Sequence, residues 1–438
     1  MRVSRIPHYL VLGAAICASP VAAAPAGKAP AKAAPAGPAT EAIALAIRAQ
    51  AGGGVKNFYA DRGFRPLWAA RGMIGRSADM FIGYLKSAHA DGLKPSSYDI
   101  DELSQAVAAA RGGDARAIAR AELELSTIFA RYVQDQRRSD VPMIYADRRL
   151  KPKRLRAETV LRAASFPKSL DDYVANMGWM SEQYVRLRAL AARAEKQGLA
   201  DGRLARLHLN LDRARLLPGP YTRHILVDAS SGRLWYYELG KQVGTMRVVV
   251  GAKETQTPML VGTLQWAVLN PYWNIPTYLA RNSIAPKVLA GRSLAAQRIE
   301  ALSDWSTTAR PLPASEIDWD AVASGKREVR LRELPGGANS MGRVKFMFPN
   351  DEGIYLHDTP ARDLLKKDDR HFSNGCIRLE NAAELGNWLL RKPLGAAASK
   401  KPEQAVPLPV PVPVYLTYIT ATATDKGIAF RPDVYGRD

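Results

Sequence analysis

Cys376 and His357 are a thiol and an imidazole whose types and spacing could do covalent chemistry. A thiol attacks as its thiolate, and an imidazole within hydrogen-bond reach can take its proton. Both lie in the window YLHDTPARDLLKKDDRHFSNGCIRL, Tyr355 to Leu379, which reads as a strand, a loop, and a tight turn at Ser373-Asn374-Gly375 entering a second strand. The loop is long enough for the strands to lie side by side, which brings His357 near Cys376. Gly375 allows close backbone approach to a substrate, so the main-chain N–H groups of Asn374, Gly375 and Cys376 are candidates to hold a developing oxyanion. Arg378 shares a strand face with Cys376 and can take a substrate carboxylate bidentately. Spacing alone leaves blander readings open. A Cys with a His 19 residues upstream arises by chance; Asp358 and Thr359 can simply turn the chain before Pro360; His371 reads as a surface residue of a charged loop.

Compartment bears on the thiol. Arg2 and Arg5 followed by the apolar run Tyr9 to Ala18 read as an export signal, too short to span a bilayer, with Val21 and Ala23 at the spacing of a cleavage site after Ala23. Cys17 lies in that segment behind Ile16, where a lipid-anchoring signal would want Gly, Ala or Ser. After cleavage Cys376 is alone, and a lone thiol in an oxidising compartment forms no intramolecular disulfide. It is either inert or used. The net charge of +20 is spread along the chain, with a concentration at Arg148, Arg149, Lys151, Lys153, Arg154 and Arg156. It reads as solvated surface with some attraction to an acidic partner. Export argues against nucleic acid and suits an anionic wall polymer.

The elements that must position these residues fall into two domains, the number expected for roughly 400 residues once signal and linker are set aside. Residues 24 to 40 are almost entirely Ala, Pro, Gly and Lys and read as a disordered tether. From 41 to about 217 the pattern is helical, with stripes Ile118, Ala121, Leu125, Phe129, Tyr132 and Tyr184, Leu187, Leu190 that form core. Gly63, Pro66, Asp91-Gly92 and Pro95 mark turns. From 218 to 438 the chain is mostly β. Strands are expected at His224 to Val227, Leu234 to Glu238, Met246 to Val250, Thr263 to Leu269, Val344 to Phe348, Ile354 to His357, Cys376 to Leu379 and Val414 to Ala421. Between Tyr278 and Asn339 the strands are expected to give way to a mixed insertion. It holds a helix around Tyr278 to Leu289 and the segment Ile317-Asp318-Trp319, and its length suits a lid subdomain better than a structureless loop. The fold class is thus α+β, a helical domain followed by a mostly β domain.

The string SNGCIRL resembles the catalytic signature of the L,D-transpeptidases of the YkuD fold. Cys376 matches that family's nucleophile, His357 its base, Ser373 and Gly375 its turn, and Arg378 its arginine. Many members have His where this chain has Asn374, so a role for a second imidazole is weakened. The strings MRVVVG, QTP, NPYWNIP, GRVKFMFPN and IYLHDTP are similar to the YcbB-like branch with a large lid, and FYADRGFRPLW (Phe58 to Trp68) to that branch's scaffold domain. The resemblance spans roughly residues 55 to 438. One departure is that the peptidoglycan-binding module usual between the two domains is reduced or absent, its place holding only Glu195 to Leu217.

The resemblance implies peptidoglycan chemistry. The Cys376 thiolate would attack the diaminopimelate–D-Ala bond of a donor stem tetrapeptide, release D-Ala, and pass the acyl group to an acceptor amine of a 3-3 cross-link or a free D-amino acid. Carbapenem-type inhibitors would acylate the same thiol. Tyr355, Trp273 and Asn270 are candidates to line the cleft, and packing is an equal reading for each. No cofactor or metal is implied. A peptidoglycan carboxypeptidase on the same fold and a non-catalytic wall-binding protein are the alternatives; a thiol redox protein lacks a second cysteine.

Overall fold

The computed structural model describes residues 38–438 apart from 199, 398–400 and 425–426. The export signal, and the tether up to residue 37, lie outside the described residues. Helix α1, Pro38–Gln50, begins three residues inside the segment read as tether.

The helical region is organised around α2, Ala115–Gln136, capped by the Asp114 carboxylate, which accepts from Ala117 N–H at 2.8 Å. Its stripe of Ile118, Ala121, Leu125, Phe129 and Tyr132 is fully buried, as its spacing requires. Glu122 lies on the same buried face. Its carboxylate accepts from the Tyr59 hydroxyl at 2.8 Å and from the backbone N–H groups of Leu67, Trp68 and Ala69. The Trp68 indole N–H reaches Ser126 Oγ at 3.0 Å. FYADRGFRPLW is therefore a loop folded around one buried carboxylate. Two further helices follow: α3 (Glu182–Gln197) runs up to the place where a binding module was sought, Glu195 to Leu217, and α4 (Asp201–Arg215) fills it. The core of this region runs onto the outer face of the β domain through Leu226, Tyr237, Val261 and Tyr415. Arg148, Arg149, Lys151, Lys153, Arg154 and Arg156 are all exposed.

The β domain contains β1 (His224–Asp228), β2 (Arg233–Glu238), β3 (Lys241–Gly251), β4 (Leu260–Leu269), β5 (Val344–Met347), β6 (Leu356–His357), β7 (His371–Ser373), β8 (Ile377–Leu379) and β9 (Gln404–Thr417). Pairing runs β5-β6-β8-β3-β2-β1-β9-β4, and β4 returns to β5, closing the sheet around an apolar interior. Closure leaves no open edge along that circuit. β6 and β8 are parallel neighbours, with Leu356 opposite Ile377 and His357 opposite Arg378. β7 lies parallel to the end of β3.

The structure departs from the sequence expectation in several places. β9 starts at Gln404, ten residues before the expected Val414, and carries four prolines. They are tolerated because β1 pairs with β9 only at Val414 to Thr417, and the register against β4 breaks between Pro407 and Val412. β7 was expected to be loop. The insertion does not lose its strands: Trp273–Ile275, Ile299–Leu302, Pro311–Leu312 and Arg330–Glu333 form an antiparallel sheet with an apolar core of its own. The expected helix runs from Thr277 to Leu289 but widens into a π turn at Ala280–Ile284, just ahead of Pro286. Proline removes an N–H and crowds the carbonyl four residues before it, which the wider turn relieves.

Glu122→Ala strands three backbone amides in the core and should lower unfolding free energy by about 3 kcal/mol. Urea denaturation checks this; a loss below about 1 kcal/mol would mean that those amides find other partners.

Candidate active site

Alternation along the paired strands β6 and β8 sorts the residues to two faces. Leu356, Ile377 and Leu379 enter the apolar interior. Tyr355, His357, Cys376 and Arg378 take the opposite face, where the Tyr355 and His357 rings lie 5.7 Å apart. The parallel register is what unites four polar groups from two distant stretches of chain.

His357 is buried, and its Nδ1 is 2.6 Å from the Asp358 carbonyl oxygen. A carbonyl only accepts, so Nδ1 carries the proton and Nε2 holds the lone pair, the tautomer a general base requires. Burial lowers its pKa to about 3; the Asp358 contact opposes this, and Arg378 and Lys345 add to it. The imidazole is neutral at physiological pH.

Cys376 is half-buried, and its Sγ lies 3.6 Å from the Gly353 carbonyl oxygen. Burial pushes the thiol up to about 11, with hydrogen bonds from the Tyr355 backbone and side chain and the charge of Arg378 pulling the other way. The expected hydrogen bond between His357 and the thiol is not made among the described residues. The pair is a neutral thiol and a neutral imidazole, because the surroundings disfavour both charges and the sulfur is turned to Gly353 and Tyr355.

The turn before the cysteine is tightly tied. Ser373 Oγ donates to the Cys376 carbonyl at 2.6 Å and accepts from Gly375 N–H at 3.1 Å. Gly375 has φ +105°, a conformation that disfavours a side chain. Its amide is consumed by Ser373, so Gly375 is removed from the oxyanion donors expected. The amides of Asn374 and Cys376 have no acceptor among the described residues. The Ser373 carbonyl accepts from Ala252 N–H at 2.8 Å and Thr255 Oγ1 at 2.9 Å, and the Gly375 carbonyl from Thr257 Oγ1 at 2.7 Å.

Arg378 has a buried Nε without a partner, and no carboxylate pairs with it among the described residues. Burial lowers its pKa, and the nearby sulfur, once ionised, raises it. A partly buried guanidinium without a carboxylate partner is suited to an incoming carboxylate.

The remaining candidates lie elsewhere. Trp273 pairs with Glu333 in the insertion's sheet and packs against that subdomain's core. Asn270 adopts φ +51° at the exit of β4, its N–H on the Arg343 carbonyl and its carbonyl accepting from Glu403 N–H. Both shape the entry to the insertion. His371 is not a surface residue: its side chain is 8% exposed, its Nδ1 is 2.6 Å from Asp369 Oδ1, and its ring meets Tyr435 edge-on. The strand β7 carries it inward. Sequence reasoning missed Tyr278 of the insertion, whose phenol pKa is raised by burial and by the Cys376 sulfur once that is ionised. It also missed Thr255 and Thr257 as supports of the turn. Thr257 lay within the quoted string QTP, but nothing local to it reveals a partner 118 residues away.

Residues 222–412 match the L,D-transpeptidase catalytic domain, and residues 53–190 match the Scaffold domain. Together these matches take in more than half of the chain. It belongs to the scaffold-bearing L,D-transpeptidases. The chain is 26% identical over 396 residues to a Haemophilus influenzae protein named as an L,D-transpeptidase, covering 87% of this chain and 77% of that one. Among solved structures it is similar to the Ldtfm–avibactam carbamoyl enzyme, with 14% identity, 46% of this chain and 50% of that chain covered, and a TM-score of 0.22. It is also similar to an L,D-transpeptidase from Mycobacterium smegmatis, with 12% identity, 44% and 58% covered, and a TM-score of 0.22. The chain thus spans about half the length of those two solved proteins. All four residues of the polar face fall within the matched transpeptidase catalytic domain.

Because this polar face disfavours the thiolate at rest, alkylation of Cys376 by iodoacetamide should accelerate continuously from about pH 6 to 9, close to tenfold per pH unit. Stopped-time mass spectrometry measures the rate. A plateau centred near neutral pH would reveal a preformed thiolate–imidazolium pair and overturn this electrostatic account.

Proposed function

We propose that this L,D-transpeptidase acts on peptidoglycan with Cys376 as nucleophile and His357 as general base. The observation that carries the reading is the Nδ1–H contact of His357 to the Asp358 carbonyl, which leaves Nε2 basic on the same sheet face as the thiol. The donor is a stem tetrapeptide, and the bond attacked joins diaminopimelate to the terminal D-Ala. As Sγ adds to the carbonyl carbon, its proton passes to His357 Nε2, so the charge is created during attack and not before it. The amides of Asn374 and Cys376 stabilise the tetrahedral oxyanion. Collapse breaks the C–N bond, His357 returns the proton to the leaving amine, and D-Ala departs from a thioester. An acceptor amine then attacks, loses its proton to His357 and regenerates the thiol. Arg378 binds a carboxylate of the stem peptide, and the insertion from Trp273 to Glu333 covers it.

The chain is an exported protein of the periplasm, with residues 1–23 as its signal peptide. Among the described residues no helix is long and apolar enough to cross a membrane. Carbapenem-type inhibitors acylate Cys376 by the same route as the donor. A carboxypeptidase would share every step up to the thioester and use water as acceptor.

The test is incubation of residues 24–438 with disaccharide tetrapeptide and mass spectrometry of the products, with Cys376→Ala beside it. Dimers lacking one D-Ala are expected from the native chain and none from the variant. Tripeptide alone would replace transfer with hydrolysis, and equal products from the variant would remove Cys376 from the mechanism.

A further inference from the structure

The direction of the two free amides is set from outside the turn. A trans peptide unit is planar, with its C=O and N–H pointing oppositely. Pinning the Gly375 carbonyl to Thr257 therefore aims the Cys376 N–H away from Thr257, and pinning the Ser373 carbonyl to Ala252 and Thr255 aims the Asn374 N–H likewise. The loop 251–257 thus decides where both oxyanion donors point.

That loop is itself held by Tyr435. Its hydroxyl donates to the Gly251 carbonyl at 2.6 Å and accepts from Thr257 N–H at 3.3 Å, bridging the two ends of the loop. Across the same neck, Gly251 N–H donates to Thr257 Oγ1 at 2.9 Å, which leaves that hydroxyl's proton for Gly375. The neck is too tight for a side chain at Gly251, where a Cβ would lie 2.1 Å from the Thr255 carbonyl. Gln256 is gripped from both ends, its amide N–H on the Tyr435 carbonyl and its oxygen receiving Arg437 Nη2 at 2.7 Å. Tyr435 is buried, stacked on Tyr418 at 4.9 Å and met edge-on by His371. The segment that carries it is anchored to α4, where Arg206 and Arg213 each meet the Asp438 carboxylate at 2.6 Å.

We infer that Tyr435 is a positioning residue for acyl transfer, its hydroxyl fixing Thr257 and through it the carbonyl of Gly375 and the oxyanion donor of Cys376. This rests on the transpeptidase reading for its kinetic consequence but not for its structural one. Tyr435 touches no reacting atom. Its loss should therefore slow the chemical step without altering the thiol or the binding of the stem peptide.

The test compares Tyr435→Phe, Thr257→Val and Thr257→Ser with the native chain. For Tyr435→Phe and Thr257→Val, kcat should fall on the order of 10- to 100-fold with KM changed less than about threefold, somewhat below the loss of a whole oxyanion donor. Thr257→Ser keeps the hydroxyl and should retain most of the activity. Alkylation of Cys376 by iodoacetamide develops no oxyanion, and its rate should stay within about twofold of native. Amide hydrogen exchange over 251–257 and 373–376 should speed up by about tenfold in the two disruptive variants, while the helical region is unchanged. Native kcat in Tyr435→Phe, or equal losses in Thr257→Ser and Thr257→Val, would overturn the inference. If the native chain makes no product, the functional reading fails, and hydrogen exchange alone decides: unchanged protection at 373–376 rejects the positioning role. Where Tyr435→Phe does not fold, Thr257→Val against Thr257→Ser decides the same question.

Discussion

The site depends on the short parallel contact between Leu356–His357 and Ile377–Leu379. Parallel strands cannot be joined by a tight hairpin, so some dozen or more residues must leave one end of the first strand and return to the start of the second. Residues 358 to 376 make that return, and because the strands run the same way, the end of one meets the start of the other on one face. The apolar residues of both strands enter the closed sheet and anchor them. A shift of one residue in register would turn His357 or Cys376 into the apolar interior, so burial of Leu356, Ile377 and Leu379 enforces the chemistry on the other side.

Electrostatics follow from that placement. Burial disfavours charge on both His357 and Cys376, while Arg378 nearby adds a positive charge that opposes the imidazolium and favours the thiolate. An arrangement of this kind keeps the thiol protonated until a carbonyl is in front of it. In the turn beside this pair Gly375 N–H is bonded to Ser373, while the amides of Asn374 and Cys376 have no acceptor among the described residues.

The helical region contributes through contact with the sheet. Its core continues onto Leu226, Tyr237, Val261 and Tyr415, and its last helix grips the segment that runs on to Tyr435. The loop behind the nucleophile is thereby braced from the scaffold side, and a route of hydrogen bonds leads from Arg213 through the 433–438 segment to the turn at Gly375. The insertion differs: with its own sheet and apolar core it packs as a separate unit.

Local pattern was enough for the stripes of the long helix, for most strands of the closed sheet, and for the grouping of Cys376, His357 and Arg378, because periodicity and a tight glycine turn are written within a few residues of one another. It misjudged β9, whose prolines deny a ladder in isolation and are excused only by the neighbours the strand has. It read the insertion as a mixed subdomain but not the short strands within it, which have no alternation long enough to read. Tertiary structure alone decided that the imidazole is held by the Asp358 carbonyl, that Gly375 spends its amide on Ser373, that His371 is buried, and that Thr257 and Tyr435 stand behind the turn. Each of these is a question of which group meets which across many residues, and a hydrogen bond carries no trace in sequence when its partners are brought together only by the packing of the whole chain.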